Sequence, residues 1–458
     1  MKSIISENEK TPPPNLSPFT QWPLTASGER LQNPTSLAGK GGRGVRCECE
    51  FKLYKYFPEK SIYSIRHLGD LVTVKGGKRL PKGDKYARSR TQYPYLRVRD
   101  FAFGSIDETN LRYLTKETHS KISQYTISHE DIYISIAGSI GIAGIVPQHL
   151  CGANLTENAA KLAIKDKNKL DASYLVYYLN TLGQHEIRKQ IKATSQPKLA
   201  LFRIEKLKIP LPSLQQQRRI VAILDKADRI RRKREEAIKL TEKLLRSQFL
   251  EMFGNPLTNP YGWELEKIGN LGKVITGNTP PRINSENYGD YIEWIKSDNI
   301  TTPYHFVTEA AQKLSYQGKQ IGRVVPSGSI LVTCIAGSAS SIGRAALTDR
   351  EVTFNQQINA IVPKKGINPY FLYSQFFVAQ HLVQAQSTNS MKGLVNKSKF
   401  SNIIFINPPQ DKQQEFGNWF LKFHAWLNKL YQDARLSEQM FNSLVQRVFS
   451  GTLNKPCS

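Results

Sequence analysis

The sequence predicts an α+β protein built from two pseudo-twofold-related globular domains, each mixed α/β and β-rich. Two long antiparallel coiled-coil helices join them. Three observations carry this prediction. The chain repeats itself at about 200 residues, each repeat ends in roughly forty residues almost free of helix breakers, and the second of these stretches carries a heptad seam.

The repeat is read in order along the chain. Tyr63, Leu68-Gly69-Asp70-Leu71, Val74 and Gly77 recur 200 residues later as Trp263, Ile268-Gly269-Asn270-Leu271, Val274 and Gly277. Tyr95-Leu96-Arg97-Val98-Arg99-Asp100 recurs at 199 as Trp294-Ile295-Lys296-Ser297-Asp298-Asn299. Ile136-Ala137-Gly138-Ser139 recurs as Ile335-Ala336-Gly337-Ser338, and Ile209-Pro210-Leu211-Pro212 as Ile406-Asn407-Pro408-Pro409. A period this long excludes a solenoid and indicates a duplicated domain-plus-helix unit. Within each copy, short apolar strands (131–136 and 329–335) alternate with Gly-Ser turns and helical stretches (174–182 and 370–384).

After Pro212 no Gly or Pro occurs until Gly254, and Ser213 is placed to cap a helix. Forty residues at 1.5 Å each make a rod of roughly 60 Å. The stretch after Pro409 repeats the design, interrupted by Gly417, with a seam through Phe416, Phe420, Phe423, Leu427, Leu430, Ala434, Ser437, Phe441, Leu444 and Val448. Such a seam demands a partner helix. The first stretch offers Ile220, Ile223, Ala227, Ile230, Ala237 and Leu244, interrupted by Arg234 and Thr241. The expected pairing residues are Ile220, Ile223, Ala227, Ile230 and Leu244 against Phe416, Phe420, Phe423, Leu427, Leu430, Phe441 and Leu444. The run Arg229-Ile230-Arg231-Arg232-Lys233-Arg234 reads as a solvated helix face with Glu235 and Glu236 as local partners.

The resulting division is a Pro/Gly-rich arm over 1–60, expected to be largely disordered, a first domain over 61–212 and a helix over 213–255. A second domain over 256–409 and a second helix over 410–453 follow.

Lys and Arg number 64 against 38 Asp and Glu, a net charge of +26. A field of that sign favours polyanions, nucleic acid before an anionic membrane surface. No apolar run approaches the roughly 20 residues that span a bilayer, and no signal peptide opens the sequence, so a cytoplasmic protein without membrane attachment is expected. Five cysteines are too few and odd in number for a disulfide framework. Cys47-x-Cys49 lacks the second pair or the histidine that a zinc site needs, and no metal is expected.

The charge is concentrated. Residues 71–100 hold nine basic side chains (Lys75, Lys78, Arg79, Lys82, Lys85, Arg88, Arg90, Arg97 and Arg99) against Asp84 and Asp100, interleaved with Tyr86, Tyr93 and Tyr95. Lys and Arg on phosphate give affinity, and Arg or Asn at a base edge gives specificity. Lys75, Lys78, Arg79, Lys82, Arg97 and Arg99 are therefore candidate DNA contacts. The equivalent region of the second copy is far less basic, with Arg282, Lys296, Ser297 and Asn299 as its candidates. Two polar stretches, Thr194-Ser195-Gln196-Pro197-Lys198 and Ser387 to Lys392, add Gln196, Lys198 and Lys392, either as groove contacts or as ordinary surface loops.

Catalytic signatures are missing. Asn407-Pro408-Pro409-Gln410 lacks the aromatic residue that would stack a flipped base. Gly138 to Gly144 lacks dinucleotide spacing, and no Gly-Lys pair precedes Ser or Thr. No catalytic residue is expected in this chain.

Taken together, the repeat, the junction Ile209 to Gln217 and the helix end Leu250-Glu251-Met252-Phe253-Gly254-Asn255-Pro256 resemble the specificity subunit of type I restriction–modification systems. Gly77 to Gly83, Tyr95 to Phe101, Trp294 to Ile300 and Val448-Phe449-Ser450-Gly451 extend the likeness over roughly residues 60–455. The resemblance implies two target recognition domains, each reading one half of a bipartite, asymmetric site on double-stranded DNA. It implies helices that set half-site spacing and dock two adenine methyltransferase subunits and further restriction/translocase subunits. S-adenosylmethionine, ATP and Mg would then belong to those partners, with no cofactor in this chain. A standalone modification enzyme, which would need its own cofactor loop, and a DNA-binding regulator without enzymatic partners are the alternatives.

Overall fold

The computed structural model describes residues 62–191, 197–301, 304–388 and 393–452. The arm over 1–60, Cys47, Cys49, Gln196 and Lys392 lie outside them. Packing divides the chain inside the two long helices rather than at their ends. One unit contains residues up to Arg231 together with those from Ser437, and the other contains Arg232–Leu436.

In the first unit an antiparallel four-stranded sheet has the order Val72–Gly76, Ala159–Ile164, Ile132–Ser135, Ala143–Ile145. A second sheet, mixed, has the order Arg112–Tyr113, Pro94–Leu96, Ala153–Leu155, Thr126–Ile127, its central pair parallel. Ser64–His67 pairs with Lys208–Leu211 where the chain enters and leaves the domain. The second unit repeats these three sheets in the same strand order, and adds a short pair, Ile335–Ala336 with Gly393–Leu394, where the first has a single bridge between Ala137 and Lys198. Gly272–Thr276, Ile358–Pro363, Ile330–Thr333 and Ala345–Leu347 form the antiparallel sheet. Lys313–Leu314, Tyr288–Ile295, Val352–Phe354 and Val324–Val325 form the mixed one, and Leu265–Lys267 pairs with Ile404–Ile406.

The strand Ile132–Ser135 is apolar throughout most of its length because both of its faces are covered. Ile132 and Ile134 join the core that contains the helix Ala172–Asn180, while the side chain between them, Tyr133, joins Leu96, Phe101 and Leu155 on the other face. Ile330, Leu331 and Val332 divide in the same way. The Gly-rich stretch after Ser135 is the turn of a hairpin: Ser135 Oγ accepts from Ile142 N–H, and the next strand begins at Ala143. This is the strand–turn–strand role that its glycine spacing allows.

The long helices span Leu214–Phe253 and Gln410–Ser450. Each is anchored to its own domain by one glutamine. Gln217 accepts from Asp171 N–H at 2.8 Å and donates to the Pro212 carbonyl at 2.9 Å. Gln413 accepts from Asn368 N–H at 3.0 Å and donates to the Pro408 carbonyl at 2.9 Å. Asp171 and Asn368 in turn cap the helices Ala172–Asn180 and Pro369–Val378. The Asn407-Pro408-Pro409-Gln410 segment is thus a helix junction held by Gln413.

In each unit the two helices run antiparallel. Ile220, Leu224 and Ala227 share a core with Phe441, Val445, Val448 and Phe449 in the first unit. Leu245, Phe249 and Phe253 share one with Phe416, Phe420, Phe423 and Leu427 in the second. Leu430 and Leu444 are partly covered. Three expectations for the first helix are corrected. Leu244 is 44% exposed and its neighbour Leu245 is buried, while Ile223 is half-buried beside the fully buried Leu224. Ile230 is likewise only half-buried. The seam is one residue out of the expected phase at these points.

The basic run is also corrected. Arg231 and Arg234 fall on the seam rather than on a solvated face. The Arg231 side chain, 13% exposed, pairs with Asp228 at 2.6 Å and Glu438 at 3.5 Å and lies over the Phe441 ring, and Arg234 donates to the Asp433 carbonyl.

Candidate nucleic-acid interface

The basic segment of the first domain is a loop pinned at both ends. Gly77 lets it approach the turn 156–159, since a Cβ there would lie 2.1 Å from the Thr156 carbonyl oxygen. Lys78 N–H donates to Leu155 O at 2.8 Å, and the Lys78 carbonyl accepts the Tyr95 hydroxyl at 2.9 Å. Burial first of all pushes the Tyr95 hydroxyl up to about 12, so it stays a proton donor. Further along, Asp84 is held by Thr118 and Lys121, and Ala87 N–H donates to Tyr113 O at 2.8 Å. Along this segment Lys78, Arg79, Lys82, Lys85, Arg88 and Arg90 are exposed.

An open cleft of about 410 Å³ lies beside the loop, lined among others by Arg79, Tyr86, Tyr95, Arg99 and Glu157. Arg79 Nε donates to Glu157 at 2.8 Å, and Arg99 is exposed. Burial raises the Glu157 carboxyl, but Arg79 and the Thr156 hydroxyl outweigh it and hold the group below its ordinary value. Around the loop, Lys78 lies over Tyr125, Arg90 over Tyr113 and Arg112 over Tyr86, at 5.7, 5.8 and 6.0 Å from the ring centroids. This arrangement of rigid aromatics and exposed cations suits a phosphate backbone.

Arg97 is a correction. It forms a two-point ion pair with Asp100 (2.9 and 2.7 Å) and donates to the Asn110 carbonyl at 2.6 Å, leaving its side chain 15% exposed. Its Nε and Nη2 secure the 3-10 turn Val98–Asp100, while the side chain still borders the cleft. Lys75 and Lys198 are exposed but do not line the cleft. Lys75 sits on the edge strand of the antiparallel sheet, and Lys198 makes a bridge to Ala137.

The second domain builds the same frame from other side chains. A Cβ on Gly277 would lie 2.2 Å from Asn355 O, Asn278 N–H donates to Phe354 O at 3.1 Å, and Trp294 Nε1 donates to Asn278 O at 3.2 Å. The Arg79–Glu157 pair is replaced by Thr279, whose hydroxyl donates to Gln356 Oε1. Lys296 donates to Gln312, lies 5.0 Å from the Trp294 ring centroid, and is held below the ordinary lysine range by burial. Asn299 is a second correction. It is buried, accepts from Lys296 N–H at 3.0 Å and donates to Thr308 and Glu309, the structural counterpart of Asp100. Ser297 is half-buried and its carbonyl accepts from Thr301. Arg282 is exposed, next to an Ile283 that is 92% exposed.

Arg112, Tyr113, Tyr125, Glu157 and Gln356 were missed from the sequence. They come from strands and turns distant from the basic segment. For Glu157 and Gln356 the signal was available, because they are 199 residues apart and flank the aligned Asn158 and Gln357.

The family model of the type I restriction modification DNA specificity domain matches the chain twice, over residues 61–240 and 260–437. The HindI specificity subunit of Haemophilus influenzae is 30% identical over 200 residues, 42% of this chain and 42% of that protein. The chain therefore spans less than half of that relative's length in the match. The putative MjaX specificity subunit of Methanocaldococcus jannaschii is 26% identical over 77% of this chain and 84% of that protein. In fold, the chain is similar to the type I restriction–modification S subunit from M. genitalium (TM-score 0.52, 14% identity, 86% of this chain and 98% of that one). Two matched domains, built on one frame and faced with different side chains, place the chain in the family of type I restriction–modification DNA specificity subunits.

Proposed function

We propose that each domain reads one half of a bipartite, asymmetric site on double-stranded DNA. The observation that carries this reading is the equivalence of the two frames. Loop, turn and aromatic anchor recur, while the side chains they carry change from Arg79, Glu157 and Arg99 to Thr279, Gln356 and Asp298. Two readers on one chain specify two different half-sites, and the helices between them set the spacing. The chain itself supplies recognition and no chemistry. It docks two methyltransferase subunits and further restriction/translocase subunits, which carry S-adenosylmethionine, ATP and Mg.

The test is to co-express the chain with the methyltransferase encoded beside it, purify the complex and map methylated adenines. A stable complex and methylation at a split site support the reading. DNA binding by the chain alone, without an associated methyltransferase, would replace it with a regulator.

A further inference from the structure

The two frames place chemically different pairs at one equivalent position. Ala159 N–H donates to Thr156 O across one turn, and Ile358 N–H donates to Asn355 O across the other, so Glu157 and Gln356 occupy the same turn position. Opposite them stand Arg79 and Thr279, each two residues after a glycine that admits the close approach.

Arg79 is 78% exposed, and an ion pair that open adds little to stability. Its effect is on orientation. Glu157 takes only the Nε side of the guanidinium, and its other oxygen accepts the Thr156 hydroxyl at 2.9 Å. Both Nη groups of Arg79 have no partner among the described residues. They form the planar fork that matches O6 and N7 of guanine. In the second domain, the Thr279 hydroxyl fixes Gln356 through Oε1. The amide then presents Nε2 as donor and the remaining Oε1 lone pair as acceptor, the pattern that matches N7 and N6 of adenine.

Building on the bipartite-site reading, we infer that Arg79, oriented by Glu157, reads a guanine in one half-site, and that Gln356, oriented by Thr279, reads an adenine in the other. Divergence at this one position gives the two domains different base preferences on a common backbone.

The experiment uses the complex with its methyltransferase, the site taken from the methylation map, and fluorescence anisotropy on duplexes altered one base pair at a time. For the native protein, replacing the guanine read by Arg79 weakens binding about ten- to hundredfold. Arg79→Ala erases that penalty at a single base pair and leaves every other position unchanged. Arg79→Lys keeps the charge but loses the fork, and erases it too. Gln356→Ala does the same at one A·T pair of the other half. Glu157→Gln keeps the preference for guanine and narrows it. A first half-site without G·C, an unaltered profile in both Arg79 variants, or equal weakening at every position would overturn the inference. Those results leave the bipartite reading standing. A native complex that neither methylates nor discriminates removes that reading and the inference with it.

Discussion

The Tyr95 hydroxyl donates to the Lys78 carbonyl at 2.9 Å, tying the basic loop to the first strand of the mixed sheet. Trp294 repeats the contact on Asn278 with an indole N–H at 3.2 Å. Two different aromatic donors thus hold one loop carbonyl in the same place, which keeps the loop geometry constant while its side chains vary. Tyr95→Phe removes the donor and is expected to cost about 1 kcal/mol. The same variant should lower the affinity of the first half-site alone. Denaturant unfolding and half-site binding check the two effects separately.

Gly77 and Gly277 carry the close approach of loop to turn. Gly77→Ala drives a Cβ against the Thr156 and Leu155 carbonyls at 2.1 and 2.3 Å, so the backbone must shift. A loss of roughly 1–3 kcal/mol is expected, with the loop displaced. Gly277→Ala should do the same to the second domain only. Limited proteolysis of each variant locates the loosened domain.

Arg97 and Arg99 should separate cleanly. Arg99→Ala, at an exposed position on the cleft, is expected to weaken DNA binding and, if it meets a phosphate, to lower the salt slope by about 1. Arg97→Ala leaves Asp100 buried without its ion-pair partner and should lower stability first. Binding at several salt concentrations, set beside melting curves, distinguishes them.

Arg231 and Asp228 form an ion pair on the largely apolar helix seam, with side chains 13% and 6% exposed. Arg231→Met removes an ion pair from the buried Asp228 and is expected to cost on the order of 3 kcal/mol. Pairing it with Asp228→Leu should restore most of that. A double-mutant cycle by chemical denaturation measures the coupling.

His305 makes stability depend on pH. It is enclosed by Phe377, Phe420 and Phe423, its Nδ1 meets the Tyr373 hydroxyl at 2.7 Å, and its Nε2 is buried without a partner. Burial above all, with His424 nearby, lowers its pKa from 6.5 to about 3. Between those values the unfolded chain takes up a proton that the folded chain refuses, so stability falls as pH drops through that window. The slope reaches about 1.4 kcal/mol per pH unit at most. His305 has a left-handed backbone (φ 65°), which asparagine tolerates, so His305→Asn should show a shallower decline.

The duplication was legible because the motifs that align are the frame itself: Gly77 and Gly277 at the close approach, Tyr95 and Trp294 at the loop anchor, and the glutamines at the helix starts. The phase of the first helix was less so. Ile223-Leu224 and Leu244-Leu245 each offer two adjacent apolar residues, and the choice between them rests on polar seam positions. Arg234 and Thr241 read as interruptions in the sequence, and Arg231 as part of a solvated face, yet all three are members of the seam. Arg97 and Asn299 looked like DNA contacts because their type suits base edges. Asp100 instead engages Nε and Nη2 of Arg97, and Lys296 N–H, Thr308 and Glu309 engage the amide of Asn299.

The most direct test of two independent readers is a methylation map of the complex carrying neutral replacements at Lys78, Arg79, Lys82 and Arg99 together. The predicted result is loss or change of one half of the methylated motif, with the other half and the spacing retained. Altered sequence preference in both halves would contradict it.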